Sequence, residues 1–312
     1  MAPSTPTQPG ATGRVFCAAL SSERGEPLAA TASHIDHWIL VEYRGPWERD
    51  AVDDSLLSAE LKAHVREQLS ALRHARLLFV RKPERRAQSG RRVFFATSRP
   101  GEERLFALEF EHREDLLAVD FASALAHGPS GGAPVASSLF LVCTHGKRDA
   151  CCARHGRPLY DALRDATDPD LVWQSTHVGG DRFAGNVVVL PHGLYYGRVA
   201  PEHVAGFLAT HAAGKVDLDR YRGRSRYSFA VQAAEHAIRE SAGALGIDDL
   251  AFLGSTPLED GGRRVRFQVA GGATHVVDVV ATLTDEPAYL TCGSAEPKRA
   301  RRCLVTAHCE LR

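Results

Sequence analysis

Cysteine and histidine residues gather in the middle of the chain, in two short segments that also contain glycines and charged residues. The first, CTHGKRDACCARHG, spans residues 143–156, and the second, STHVGGDRFAGN, spans residues 175–186. Each begins where an apolar, strand-like run ends, and loops at strand ends of an open α/β sheet converge on a site. The side chains that these loops can bring to one point are Cys143, Cys151 or Cys152, His177 and Asp181.

This combination of side chains favours a soft metal centre. Thiolates suit iron–sulfur clusters, zinc and Cu(I), and imidazole suits iron and zinc. Gly179 and Gly180 allow the backbone to turn tightly and to approach a bulky group. Arg182 can offset the negative charge of sulfide and thiolate, and cluster potentials respond to such neighbours. The residues expected to surround the cofactor are Gly179, Gly180, Arg182 and Asn186.

Simpler interpretations exist for the same residues. Cys143 can be a small buried apolar residue, since free cysteine is often buried. His177 can be a hydrogen-bonded structural histidine, and Asp181 a turn or helix N-cap residue. The whole segment can alternatively be a structural zinc domain, or a metal-free thiol redox or interaction module that uses the Cys151–Cys152 pair. The chain contains no C-x-x-C motif, which weakens the thiol redox alternative.

The composition is that of an ordinary globular protein. Of 312 residues, 44% are hydrophobic and 24% charged, and 38 basic residues balance 38 acidic ones. A net charge of zero argues against nucleic-acid binding, and no apolar run has the roughly 20 residues that cross a membrane. We predict a disordered tail over residues 1–13 that is not a secretory signal, and therefore a cytoplasmic protein. Seven cysteines in that reducing compartment should be free, catalytic or metal-bound.

Hydrophobic periodicity predicts an α/β fold in three blocks. Residues 14–126 form a small α/β block, and a glycine- and proline-rich linker follows at 127–138. Residues 139–218 should form a thioredoxin-like layered domain of order β-α-β-β-β-α, whose first strand, SLFLVC, ends in Cys143 and whose helix spans 157–165.

The C-terminal block, residues 219–312, should be a helix over 229–244 followed by a β-meander. Its predicted strands are LAFLGS, RRVRFQVA, THVVDVVATL, AYLTCGS and CLVTAHCEL. The spacing of Cys292, Cys303 and Cys309 fits no zinc motif, so we interpret them as strand positions. Cys17 is interpreted as structural.

Three motifs together resemble the sucrase/ferredoxin-like family of thioredoxin-like ferredoxins. They are CTHGKRDACC, HVGGDRFAGN and VLPHGLYYGRV, and the likeness extends over roughly residues 15–235. The resemblance implies a thioredoxin-like domain with a [2Fe-2S] cluster, held in relatives by two cysteines and two histidines. It further implies an electron carrier rather than a catalyst, acting on an unidentified redox partner protein.

Residue by residue, the resemblance assigns the cluster ligands. Cys143 and Cys152 match the two cysteines, and His177 matches the first histidine. Asp181 stands where the second histidine is expected, and Cys151 is the alternative fourth ligand. A hard carboxylate suits iron less well than imidazole does, so we expect a less stable cluster than in relatives with two histidines.

Overall fold

The computed structural model describes residues 16–82, 90–259 and 261–311. The predicted tail at 1–13 lies outside these ranges. The α-helices are α1 (Cys17–Glu23), α2 (Ala59–Ser70), α3 (Phe121–His127), α4 (Ala150–Ala166), α5 (Val204–Ala212) and α6 (Phe229–Ala242). The strands are β1 (His37–Glu42), β2 (Ala75–Arg81), β3 (Arg91–Thr97), β4 (Arg104–Phe110), β5 (Ala133–Pro134), β6 (Leu139–Cys143), β7 (Val172–Ser175), β8 (Val187–Leu190), β9 (Leu194–Tyr196), β10 (Tyr221–Arg224), β11 (Leu250–Pro257), β12 (Arg263–Val269), β13 (Thr274–Leu283) and β14 (Arg301–Leu311). Short 3₁₀ helices span Arg113–Ala118, Asp181–Phe183 and Pro201–His203.

The fold is mixed α/β, with two sheets. A ten-stranded sheet has the order β10-β9-β8-β6-β7-β2-β1-β3-β4-β5, and a four-stranded sheet has the order β11-β12-β13-β14. Within the larger sheet β1 runs parallel to β2 and β6 parallel to β7, while the other neighbours are antiparallel. The middle of the chain follows the predicted order of one helix after β6 and one after β9.

The first two predicted blocks share the larger sheet. Strands β2 and β7 pair antiparallel, with Val80 opposite Ser175 and Arg81 opposite Gln174. The segment 127–138 therefore does not separate two sheets, and it even contributes the edge strand β5. Strand pairing of this kind cannot be inferred from hydrophobic patterning, because the pattern reveals which face is buried and not which strand lies alongside.

The apolar sequence of β6 reflects burial on both faces of the sheet. Leu139, Leu141 and Cys143 point into one core cluster, together with Trp38 and Cys152. The alternate residues Phe140 and Val142 point into the opposite cluster. Side chains of a strand alternate between faces, and a strand covered on both sides is apolar throughout. Cys143 thus lies in the interior, at the end of a central strand.

Helix α4 begins seven residues earlier than the helix start predicted at residue 157. The Asp149 side chain caps it by accepting a hydrogen bond from the Cys151 N–H at 2.8 Å. Gly156 and Pro158 within the helix weaken the local signal, since glycine has low helix propensity and proline lacks an N–H. The earlier start places both Cys151 and Cys152 in the first helical turn.

The C-terminal part of the chain contains α6 and the four-stranded sheet. The expected strand AYLTCGS is wrong: residues 288–294 form turns and one isolated bridge, from Ala288 to Lys298. The sheet instead closes with β14, which pairs along the length of β13. In the parts of the chain that are described, none of the helices combines the length and the apolar character needed to cross a bilayer.

Candidate metal centre

Three side chains that are distant in sequence have their donor atoms close together. The sulfurs of Cys143 and Cys152 and a ring nitrogen of His177 all lie within 4.8 Å of one another. Asp181 joins them: its Oδ1 lies 3.2 Å from the Cys152 sulfur and 2.9 Å from His177 Nδ1. We call Cys143, Cys152, His177 and Asp181 the first donor group.

Each member of the first donor group is positioned by the end of a secondary-structure element. Cys143 ends β6, and its N–H donates to the Asn186 carbonyl at 3.0 Å. Cys152 lies in the first turn of α4, where the positive end of the helix dipole favours a thiolate. His177 follows β7, and Asp181 begins a short 3₁₀ helix four residues later. Both loops leave the same end of the parallel pair β6–β7, as the sequence predicted.

The contacts within the first donor group shift its proton affinities. Contact with the Cys152 thiol lowers the pKa of Cys143 well below its ordinary value, against the effect of burial, and His177 adds to the lowering. Contact with Cys143 raises the pKa of Cys152 well above its ordinary value. Burial alone would lower the pKa of His177, but Asp181 and Cys143 together raise it to about 9. These contacts favour the thiolate form of Cys143, which is the form that binds a metal.

His177 is the donor that reaches the surface. Its side chain is 24% exposed, whereas that of Asp181 is 4% exposed, and Cys143 and Cys152 are buried. The His177 Nδ1 faces Asp181 in an orientation that leaves it without a well-aligned hydrogen bond. An imidazole nitrogen binds a metal through its lone pair, so a metal bound here would displace the proton that Asp181 and Cys143 favour on the ring.

The two glycines in the loop after β7 have backbone conformations that other residue types rarely adopt. Gly179 and Gly180 have φ values of +98° and +80°, in the left-handed region that favours glycine. A Cβ atom at Gly180 would collide with the Arg222 guanidinium. The two residues therefore allow a close approach between this loop and a buried arginine.

That arginine, Arg222, supports the loop and was not identified from the sequence. It donates to the Asn186 Oδ1 at 2.8 Å and to the Gly179 carbonyl at 3.0 Å. The Asn186 amide in turn donates to the Gly180 carbonyl at 2.9 Å. Burial lowers the pKa of Arg222 to about 10, so it is a cation at neutral pH. Arg222 thus places positive charge beside the first donor group.

Three other residues near the first donor group have partners of their own. Arg182 pairs with Glu26 at 2.7 Å, so its charge is already balanced by a carboxylate. Cys151 faces away from the first donor group, with its sulfur 3.4 Å from the Cys292 sulfur. His145 is buried, and its Nε2 lies 2.7 Å from the Glu48 carbonyl oxygen.

Cys151 belongs to a second donor group, which the sequence did not reveal. The donor atoms of its four members lie within 4.8 Å of one another; they are Cys17, Asp149, Cys151 and Cys292. Their positions are separated by up to 275 residues, so no spacing motif connects them. The vicinal Cys151–Cys152 pair was the one available signal, because neighbouring residues at a helix start point in different directions.

Comparison with known proteins identifies the family to which the chain belongs. The family described as Sucrase/ferredoxin-like matches residues 28–223. The chain belongs to this family. The sequence resemblance is thereby confirmed, and the matched region contains the whole first donor group. Cys17 and Cys292 of the second donor group lie outside it.

Curated relatives of this sucrase/ferredoxin-like chain come from yeasts. A protein named Altered inheritance of mitochondria protein 32, from Meyerozyma guilliermondii, is 39% identical over 100 residues, which is 28% of this chain and 35% of the relative. The protein of the same name from Debaryomyces hansenii is 37% identical over 99 residues, or 28% of this chain and 36% of the relative. The matched part of the chain spans about a third of the length of these relatives.

Solved structures with local similarity are thioredoxin-like [2Fe-2S] ferredoxins from Aquifex aeolicus. One is 24% identical and has a TM-score of 0.25, covering 27% of this chain and 88% of the ferredoxin. A cysteine-to-serine variant of that ferredoxin is 23% identical with a TM-score of 0.26, covering 28% of this chain and 100% of the variant.

Proposed function

We propose that the chain is an electron carrier whose first donor group holds a [2Fe-2S] cluster in a thioredoxin-like domain. The observation that carries the proposal is the convergence of the Cys143, Cys152 and His177 donor atoms within 4.8 Å. Membership of the sucrase/ferredoxin-like family supports it. Thiolate and imidazole both serve as ligands of [2Fe-2S] clusters, and Asp181 offers a carboxylate as the fourth donor.

Each member of the first donor group would supply one ligand to the cluster. Cys143 and Cys152 supply the thiolates, from the end of a rigid strand and from the start of a helix. His177 supplies an imidazole nitrogen, and Asp181 is the fourth donor. Arg222 and the N-terminus of α4 offset the negative charge of the thiolates. When bound, the cluster accepts and releases single electrons.

Burial and exposure determine where a partner protein would approach. The thiols are 1% exposed, whereas His177 is 24% exposed. We therefore expect a redox partner to approach on the His177 side, over the loops at residues 144–148 and 177–180. Imidazole in place of thiolate raises cluster potentials, so we expect a midpoint potential above the roughly −400 mV of plant-type ferredoxins.

The state of the cysteines bears on the compartment. None of the seven cysteines, all of which lie in the described ranges, forms a disulfide, and cysteines without disulfides are typical of the reducing cytoplasm. We propose the cytoplasm as the site of action.

A single zinc ion is the second candidate for the first donor group. The compact arrangement favours it, because the donor atoms of Cys143, Cys152 and His177 lie within 4.8 Å of one another and can share one ion. A two-iron core is larger and would require the donors to separate. Zinc predicts a colourless protein that carries no electrons.

Metal and sulfide analysis of the anaerobically purified full-length chain tests the proposal. We expect a coloured protein with two iron and two sulfide ions per chain, and loss of both in Cys143→Ser. Cys303→Ser is the matched control, because Cys303 is half-buried on β14 and belongs to neither donor group. A colourless protein that contains zinc in place of iron, or iron content unchanged in Cys143→Ser, would contradict the proposal.

A further inference from the structure

We propose that the second donor group is a structural zinc site, formed by the thiolates of Cys17, Cys151 and Cys292 and the carboxylate of Asp149. This site is separate from the proposed cluster site, and Cys17 and Cys292 lie outside the family match. It would join three parts of the chain: the start of α1, the start of α4, and the loop between β13 and β14.

The distances agree with one tetrahedral ion. The Cys292 sulfur lies 3.4 Å from the Cys151 sulfur and 3.6 Å from the Cys17 sulfur. Both Asp149 carboxylate oxygens lie 3.8 Å from the Cys17 sulfur. With Zn–S bonds of about 2.3 Å, tetrahedral geometry separates two sulfur ligands by about 3.8 Å. If the donor atoms moved by a few tenths of an ångström, a zinc ion would fit at the centre of the four donors.

The carboxylate is held in place for this role. Asp149 Oδ1 accepts from the Cys151 N–H at 2.8 Å, and Oδ2 accepts from the Cys292 N–H at 2.7 Å. Each oxygen retains a lone pair for a further partner. Asp149 is 3% exposed, and a buried carboxylate surrounded by sulfurs is costly unless a cation balances it.

The surroundings favour a closed structural site over a catalytic one. Cys17 and Cys151 are fully buried and lie in a small cluster with Ala18 and Ala184. Four protein donors fill a tetrahedral zinc and leave no position for water, which is the arrangement of structural sites. Zinc accepts thiolate and carboxylate together, whereas Cu(I) prefers soft ligands alone.

The adjacent cysteines of α4 would then serve two different centres. The Cys151 sulfur faces Cys17 and Cys292, and the Cys152 sulfur faces Asp181. Neither thiol is available to the other group. A zinc ion at the second donor group would also fix the start of α4, and with it the position of Cys152.

Zinc analysis of the full-length chain, purified under reducing conditions, tests the proposal. We expect one zinc per chain in wild type and in Cys143→Ser, and its loss in Cys292→Ser and Cys17→Ser. Cys309→Ser is the control, because Cys309 is exposed on β14. Circular dichroism verifies folding, and Cys292→Ser changes only a half-buried loop residue. Since Cys143→Ser should lose the cluster and keep the zinc, failures of the two proposals are distinguishable.

Cobalt provides a second measurement. Co²⁺ added to Cys143→Ser chain freed of metal by a chelator should give thiolate-to-cobalt absorption that is lost in the Cys143→Ser/Cys292→Ser double variant. Zinc content that is unchanged in Cys292→Ser and Cys17→Ser would overturn the proposal. So would a metal-free chain in which all seven thiols react, or one in which mass spectrometry finds a disulfide between Cys292 and either Cys17 or Cys151.

Discussion

The sulfur of Cys152 lies 3.2 Å from the Oδ1 atom of Asp181 and donates a hydrogen bond to it. This contact connects the start of α4 to the loop after β7. It also brings a carboxylate into the position where the family resemblance leads one to expect a second imidazole. The properties of the proposed cluster should therefore depend strongly on this one side chain.

Asp181→His should make the cluster more durable. Imidazole is a better iron ligand than carboxylate, so the visible absorption should decay more slowly in air than in wild type. Asp181→Asn is the matched control, because it keeps the shape and removes the anionic ligand. We expect it to lower the iron content of the purified protein below that of wild type, because the neutral amide is a poorer iron ligand than the carboxylate. Equal decay rates in all three proteins would argue against Asp181 as a ligand.

Gly156→Ala should disturb the approach of α4 to β6. A Cβ atom there would overlap the Cys143 carbonyl oxygen, and overpacking of this kind costs about 1–3 kcal/mol. We expect a lower melting temperature and lower iron content, since α4 also carries Cys152. The control is Gly206→Ala in α5, where nothing lies within 4 Å of the new atom. Alanine should there stabilise the helix by about 1 kcal/mol. Similar melting temperatures for the two variants would contradict this account.

Glu235→Gln should destabilise the packing of α6 on β10. The Glu235 Oε1 lies 3.1 Å from an Arg239 nitrogen and 3.6 Å from the Arg224 Nε. All three side chains are at most 1% exposed, and removing one partner of a buried ion pair costs about 3–5 kcal/mol. Urea unfolding measures this loss. Glu240→Gln, on the exposed face of the same helix, should change stability by less than about 0.5 kcal/mol.

Mild acid should destabilise the chain, partly through His211. Burial lowers the pKa of His211, with the nearby charge of His192 adding to it. Below about pH 6.5 the unfolded chain therefore binds a proton that the folded chain resists, and folding stability falls as the pH falls. His211→Gln should show a smaller drop in melting temperature between pH 7.5 and 5.5. The same replacement at exposed His127 tests specificity, and an equal effect there would count against the assignment to His211.

The parts of the fold that follow from local pattern were predicted well. The helix expected at 229–244 is α6, at Phe229–Ala242, and the apolar run ending in Cys143 is the buried strand β6. Both have strong periodicity and clear ends. By contrast, α4 was predicted too short, because Gly156 has low helix propensity and suggested a helix boundary. In the structure Gly156 lies inside the helix, where the close approach of the Cys143 carbonyl leaves no room for a Cβ atom.

The sequence does not show which helices and strands lie next to one another in the fold. Strands β2 and β7 pair although they are distant in sequence. The same is true of the contacts that bring together Cys17, Cys151 and Cys292. The loop around Cys292 was predicted as a strand because its residues have apolar character. In the structure this loop reaches α1 and α4 instead. The first donor group was accessible from sequence because its residues follow strand ends at recognisable spacings.

Pulsed EPR of the reduced full-length protein, labelled with ¹⁵N-histidine, tests the central claim most directly. If thiolates and imidazole share one inorganic core, the spectrum should contain a strongly coupled histidine nitrogen. That coupling should disappear in His177→Ala and persist in His192→Ala. A cluster spectrum without such a coupling in wild type, or with a coupling that survives His177→Ala, would contradict the account.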